Sequence, residues 1–222
     1  MAVAEELFDL CDEWGRRVGR TKPRSLVHRD GDWHRAFHCW LVERNDAGEP
    51  LILLQRRALD KDTNPGFWDV SVGGHYSAGE GIEGGLREIR EELGLYVAAN
   101  DLVLAGWRRE DIHYENGLID REVQDVYFLS RAVDLRALRP EPAEVIAVAR
   151  VPAATLAQLA GGSLSHMMAS GGRVDGRRRV HPQGIEIPAA ALLPRADGYY
   201  ARVAAFAAAL SRGEGPAEPG WW

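Results

Sequence analysis

Cysteine is scarce in this chain: Cys11 and Cys39 are the only two in 222 residues. So small a number speaks for reduced thiols and a cytoplasmic setting rather than a disulfide framework. Cys39 lies inside an apolar run and reads as a core residue. Long hydrophobic runs are also missing, so no stretch reaches the length needed to span a bilayer. The acidic N-terminus lacks the basic start of a signal peptide. Positive charge is short as well, with 27 Lys and Arg against 33 Asp and Glu and a net charge of −6. A broad basic surface is therefore not implied, which argues against a general nucleic-acid binder. No internal repeat is present.

The apolar content of 45% is that of a globular protein with a full core. A length of 222 residues fits one domain with a tail or with insertions. Glu6–Cys11 alternates as a strand, Asp12–Gly15 turns, and Arg17–Thr21 returns as the second strand of a hairpin. Lys22-Pro23-Arg24 breaks it, and a short connection leads through Val27-His28 and the polar turn 29–32. Arg35–Val42 and Leu51–Arg56 bracket the turn residues 45–50, a second hairpin. Phe67–Val72 reads as a strand, as do Leu102–Trp107, Glu122–Leu129 and Val145–Val151. Ala153–Ala160 and Asp197–Leu210 read as helices. Gly171-Gly172 and Arg177–Arg179 interrupt the apolar pattern of Ser163–Gly184, which predicts a mobile loop or lid. Its basic run either reaches an anionic substrate or is solvated. Ser211–Trp222 reads as a Pro/Gly tail whose Trp221-Trp222 docks on the chain's own surface or on a partner subunit, so a homodimer is one arrangement left open.

The most informative stretch is Gly74–Leu95, GHYSAGEGIEGGLREIREELGL. Leu86, Ile89 and Leu93 repeat at helical spacing, and Gly94 stands where a left-handed cap would end the helix. Glu88, Glu91 and Glu92 fall at i, i+3 and i+4, so the three carboxylates share one face. Like charges so placed repel. A hard divalent cation such as Mg²⁺ or Mn²⁺, which takes oxygen ligands, removes the penalty. A solvated acidic face balanced by Arg87 and Arg90 fits the spacing equally well.

The stretch resembles the Nudix box: glycine, five residues, glutamate, seven residues, then REUxEExGU with U a bulky aliphatic. Gly74, Glu80, Arg87, Glu88, Ile89, Glu91, Glu92, Gly94 and Leu95 match in order, with six residues rather than seven between Glu80 and Arg87. The resemblance implies an α+β or α/β fold, a Nudix-like α/β/α sandwich with a mixed sheet and a C-terminal helical extension. It places a Nudix domain with its N-terminal hairpin at 1–160 and an extension of loop, helix and tail at 161–222, packed on the same domain. It further implies metal-dependent hydrolysis of a diphosphate joined to another moiety. Glu91 and Glu92 would be metal ligands, Glu88 a ligand or the general base, and Arg87 a group that orients the carboxylates.

RTKPRSLVHRDGDWHRAFHCW and LLQRRALDKDTNPGFWDVSVGGH are similar to the Nudix branch that includes type 1 isopentenyl-diphosphate isomerase. His28, His34 and His75 match its metal-binding histidines, with one residue fewer between the first two. Asp120 and Glu122 fall where its paired glutamates stand. The resemblance thus implies a second metal site of His28, His34, His75 and Glu122, suited to Zn²⁺ or Mn²⁺. Lining a pocket or bonding backbone carbonyls is the other role open to these histidines. Arg57 and Lys61 fall on diphosphate-binding residues and Arg24 on a further lysine. Gly73 stands where the isomerase carries its reactive cysteine. That substitution, with the intact RE-x-x-EE core, points to hydrolysis of a small nucleoside-diphosphate-type or other diphosphate compound. An isomerase with a substitute acid and a non-catalytic diphosphate-binding module are the competing readings.

Overall fold

The chain is described from a computed structural model covering residues 5–215 and 218–222; residues 1–4, and Pro216-Ala217 of the expected tail, lie outside the described residues. In order, the elements begin with the hairpin β1 (Leu7–Cys11) and β2 (Arg17–Pro23), followed by α1 (Arg24–Asp30). Strands β3 (Trp33–Arg44), β4 (Pro50–Arg57), β5 (Trp68–Asp69) and β6 (Val72–His75) lead to α2 (Ile82–Leu93). Then come β7 (Leu102–His113), β8 (Ile119–Ser130), β9 (Val145–Pro152) and α3 (Ala153–Ala160). The chain closes with β10 (His166–Val174), β11 (Val180–Pro188), α4 (Tyr199–Ser211) and β12 (Gly220–Trp221).

Alternation along β3 sets the layers. Successive strand side chains point to opposite faces. Trp40 and Val42 therefore join Ile52, Leu54, Leu156 and Val203 on the face covered by α3 and α4. Phe37, Cys39 and Leu41 join Leu53, Ile89 and Leu93 on the face covered by α2. Full burial of each such side chain is worth roughly 1.5–3 kcal/mol, and together they fix β3 at the centre. The sheet runs β11-β10-β9-β4-β3-β8-β7-β12. It is mixed, because β3 runs parallel to β8 and β12 parallel to β7, while the other neighbours are antiparallel. This is the expected α/β/α sandwich. No helix among the described residues is long and apolar enough to cross a membrane.

Four local expectations need correction. The connection after Pro23 is a seven-residue helix, α1, ended by Gly31 in the left-handed conformation. Only Val27 and His28 of α1 are buried, too few positions to show a helical period. Second, the strand expected over Phe67–Val72 is two: β5 pairs with β4, and β6 pairs with β3. Buried Ser71 makes the crossing, its Oγ accepting the Leu41 amide at 2.8 Å and donating to the Leu53 carbonyl. Third, β7 and β8 each run about a turn's length beyond the apolar stretches that mark them, reaching His113 and starting at Ile119. That polar overhang carries Glu110 and Asp120, and Glu122 begins the stretch the sequence marks.

The fourth concerns 163–184, where the loop or lid is instead the regular hairpin of β10 and β11, extending the sheet from β9. Gly171 and Gly172 permit close strand approach rather than mobility. A Cβ on Gly171 would lie 2.4 Å from the Val148 carbonyl oxygen, and one on Gly172 2.8 Å from that of His181. Arg177–Arg179 form the hairpin tip, where the Asp175 carboxylate accepts the amides of Arg177 and Arg179 at 2.8 and 2.9 Å. At the other sheet edge Trp222 docks on its own chain, beside Phe128, Phe206 and Tyr199, donating its indole N–H to the Ala105 carbonyl at 3.2 Å.

Candidate active site

The box helix forms as its periodicity predicts. Ile89 and Leu93 are buried against the sheet, and Gly94 caps α2 with φ 72°. Burying that stripe turns Glu88 and Glu92 toward the end of β6. Glu92 is the deepest: its Oε2 accepts the Gln55 amide at 3.0 Å and the Gly73 backbone N–H at 2.9 Å. Glu91 stays half exposed. Arg87 ties the group together, donating to Glu88 at 2.9 Å, to Glu80 at 3.1 Å and to Glu91 at 3.4 Å. Glu80 also accepts the Ser77 amide at 2.9 Å, so the shortened loop still fastens itself to the helix.

Burial pushes the Glu88 carboxyl up to about 7, against the pull of Arg87 and with the help of Glu91. Burial and the neighbouring Glu88 also hold Glu92 well above the usual carboxylate range. Two adjacent carboxyls that resist ionisation for want of positive charge are a donor set a divalent cation would complete.

A second cluster lies beside the first. His28 (α1), His34 (β3), His75 (β6) and Asp120 (β8) each offer a ligand atom within 4.8 Å of the others. The carboxylate in this set is Asp120 rather than the expected Glu122, which instead meets His75 Nε2 at 2.9 Å and Gln124 at 2.6 Å. His28 Nε2, His34 Nε2 and Asp120 Oδ1 are buried with no hydrogen-bond partner among the described residues. Burial and the neighbouring His75 lower His28 to about 4 and His34 to about 3, leaving both rings neutral with a lone pair free. Burial and Glu122 raise Asp120, while Glu122, against its burial, is held well below its ordinary value by His75.

The box carboxylates, with His75 and Asp120 of the second cluster, open on one cavity of about 200 Å³, which His28 and His34 do not line. Arg24, Arg57 and Lys61 line it as the sequence suggests. Arg57 lies 3.5 Å from Asp69 and donates to the Thr63 carbonyl at 3.1 Å, and Lys61 pairs with Glu144. Arg24 makes no ion pair among the described residues. The cavity also recruits residues that carry no sequence signal: His38, Asp69, Glu110, Tyr114 and Arg195. Arg195 comes from the loop before α4 and pairs with Asp69 at 2.7 Å and with Glu110. The basic tip Arg177–Arg179 does not line this cavity; Arg177 and Arg178 meet Arg90 and Arg139 in a separate surface depression.

Among the described residues, nine carboxylates and five cationic side chains face the cavity. A space so lined repels a phosphate unless cations enter with it. The geometry therefore fits a divalent metal at the box carboxylates, and the orphaned His28, His34 and Asp120 atoms fit one at the histidines.

Comparison with known proteins bears on the family. The NUDIX domain profile matches residues 32–168. An uncharacterised Nudix hydrolase of Clostridium acetobutylicum is 34% identical over 198 residues, covering 89% of this chain and 95% of its own. An isopentenyl-diphosphate Δ-isomerase of Paenarthrobacter aurescens is 38% identical over 156 residues, covering 69% of this chain and 80% of its own. Among solved structures, a protein of Deinococcus radiodurans superposes with a TM-score of 0.50 at 26% identity, over 71% of this chain and 90% of that one. Enzymes of this family generally need a divalent metal ion. With its box in place on α2, the chain belongs to the Nudix family of hydrolases.

Proposed function

We propose that this hydrolase cleaves the diphosphate linkage of a small nucleoside-diphosphate-type or other diphosphate compound, with Mg²⁺ or Mn²⁺ at Glu88, Glu91 and Glu92. The observation that carries the reading is the surplus of carboxylates in a cavity that also presents Arg24, Arg57 and Lys61. A metal bound there supplies neutralisation of phosphate charge and a more acidic water. Gln55 and the Gly73 amide hold Glu92 in place, and Arg87 holds Glu88 and Glu91. Glu88 lines the cavity beside Glu92 and would accept a proton from water if it is the general base. Arg57 presents a planar guanidinium able to bind phosphate oxygens in pairs. Lys61 would exchange Glu144 for the substrate.

We assign His28, His34, His75 and Asp120 as a second metal site, with Glu122 behind His75 to fix its ring. Neutral imidazoles with one carboxylate favour Zn²⁺ or Mn²⁺ over Mg²⁺. Elemental analysis after dialysis should find a transition metal in wild type that His75→Ala has lost; equal retention would return the histidines to a polar lining.

Isomerase chemistry is disfavoured by the same cavity. Gly73 offers no thiol, and neither Cys11 nor Cys39 lines the space. Burial pushes the Cys11 thiol up to about 12 and Cys39 higher still. A panel of nucleoside, sugar, isoprenoid and dinucleoside diphosphates tests the proposal. Metal-dependent product release from at least one is expected, and isopentenyl diphosphate in deuterated water should take up no deuterium. Enzyme-dependent deuterium uptake would favour the isomerase, and binding without turnover a regulatory module.

A further inference from the structure

His38 stands at the centre of β3, in register with Gly73 on β6. It belongs to the alternation that carries Trp40 inward, yet it lines the cavity rather than the core. Gly73 is what exposes it. A Cβ built there would lie 3.7 Å from His38 Cδ2 and 3.9 Å from Nε2, so any larger residue would stand between the ring and the space beside Glu92. The Gly73 amide itself donates to Glu92. The imidazole edge thus faces the place where the box carboxylates would hold a phosphate.

The ring is also fixed in rotation and tautomer. His38 Nδ1 lies 3.0 Å from the Tyr199 hydroxyl, and the Trp40 indole N–H donates to that same oxygen at 2.9 Å. An indole N–H can only donate. Tyr199 is 1% exposed, and His38 Nδ1 is the one acceptor near its hydroxyl among the described residues. Leaving a buried hydroxyl proton unpaired costs roughly 1–3 kcal/mol. The arrangement that pairs every group has Trp40 donating to Tyr199, Tyr199 donating to Nδ1, and the ring proton on Nε2. That nitrogen has no hydrogen-bond partner among the described residues. Burial and the nearby Arg195 lower His38 to about 4, so the ring is neutral near pH 7.

We propose that His38 contacts the substrate, its Nε2–H donating to a phosphoryl oxygen seated against Gly73, with Tyr199 positioning the ring. The proposal rests on the reading of the cavity as a diphosphate site. A neutral donor suits a floor already crowded with charge. It adds directed binding to the phosphoryl group without repelling the cations that the carboxylates demand. Tyr199 lies on α4, outside the segment matched by the family profile, so the C-terminal region would orient a residue inside the active site.

The test uses the full chain with Mg²⁺ and methylenediphosphonate, a diphosphate mimic that cannot be hydrolysed. Nitrogen NMR of the histidine rings should show His38 protonated at Nε2, with its resonance moving as the mimic binds. By calorimetry, His38→Leu should bind the mimic about tenfold more weakly, the worth of one hydrogen bond to a charged acceptor. His38→Gln, which keeps a donor, should recover part of the loss. Tyr199→Phe should bind two- to fivefold more weakly and populate both ring tautomers. Urea unfolding of each variant separates these effects from loss of fold. Unchanged affinity in folded His38→Leu, a His38 resonance that ignores saturating mimic, or no binding by wild type would each overturn the proposal. If wild type binds the mimic through His38 but hydrolyses no diphosphate, hydrolysis fails and His38 stands. If wild type hydrolyses diphosphates while His38→Leu binds normally, the reverse holds.

Discussion

Glu92 differs from Glu91 in depth, and the difference sets what each substitution should do. Glu92 is buried and held by two donors, whereas Glu91 is half exposed, and among the described residues its carboxylate meets only Arg87, at 3.4 Å. Glu92→Gln should cut metal-dependent turnover by about 10²-fold or more, the scale on which a single preorganised transition-state contact is lost. Glu91→Gln should cost about tenfold, largely recovered by raising Mg²⁺. Neither should unfold the metal-free chain, because Glu92 is already driven toward its neutral form by burial and Glu88. Steady-state kinetics beside urea unfolding checks both halves. Gly74→Ala tests the packing instead: its Cβ would fall 2.2 Å from Glu88 Cδ, so Glu88 must leave its place. Turnover should drop at unchanged stability, and metal titration should show weaker binding.

At the scale of elements, α2 was fully legible because its apolar stripe, its carboxylate face and its Gly94 cap all agree with one helix. Gly94→Ala should destabilise by about 1 kcal/mol or more, since φ is 72° and the added Cβ would meet the Arg139 backbone at 2.9 Å. A thermal melt measures it. The β10–β11 hairpin was illegible for the opposite reason. Glycines there usually signal flexibility, but Gly171 and Gly172 are required by the approach of the neighbouring strands. Gly171→Ala should therefore cost about 1–3 kcal/mol despite its place in a polar, basic stretch. The histidine cluster was half legible. All four of its members matched a family pattern, but which of Asp120 and Glu122 joins the histidines is set only by how β8 folds beside them. His38, Glu110 and Arg195 come from three separate segments, and only the folded sheet brings them to one cavity.

Across the whole molecule, the buried ionic groups make stability a function of pH. His38 has a folded pKa of about 4, well below the ordinary histidine value of about 6.5. The unfolded chain therefore takes up a proton below about pH 6.5 that the folded chain refuses, so stability falls with pH and stops falling near 4. Between pH 7 and 5 this single ring should cost roughly 2 kcal/mol. Arg195 joins Asp69 on β5 to Glu110 on β7, and it overcomes their burial to hold both carboxyls below their usual values. Their contribution is complete above about pH 4 and is lost as pH drops through the folded values, extending the fall into acid. Urea unfolding of chelator-treated protein should show wild type losing roughly 2 kcal/mol relative to His38→Gln between pH 7 and 5. From that difference the opposing rise contributed by the raised carboxyls of Glu88, Glu92 and Asp120 cancels.

The central claim is that carboxylates on α2 make this cavity a metal-dependent diphosphate hydrolase. Turnover of the best diphosphate substrate, in wild type and in Glu92→Gln at limiting Mg²⁺, tests it most directly. The account predicts hydrolysis by wild type that rises with Mg²⁺ and stops with chelator, and a loss of about 10²-fold or more in the folded variant. Near-normal turnover by Glu92→Gln under those conditions, or wild-type hydrolysis indifferent to chelator, would contradict it.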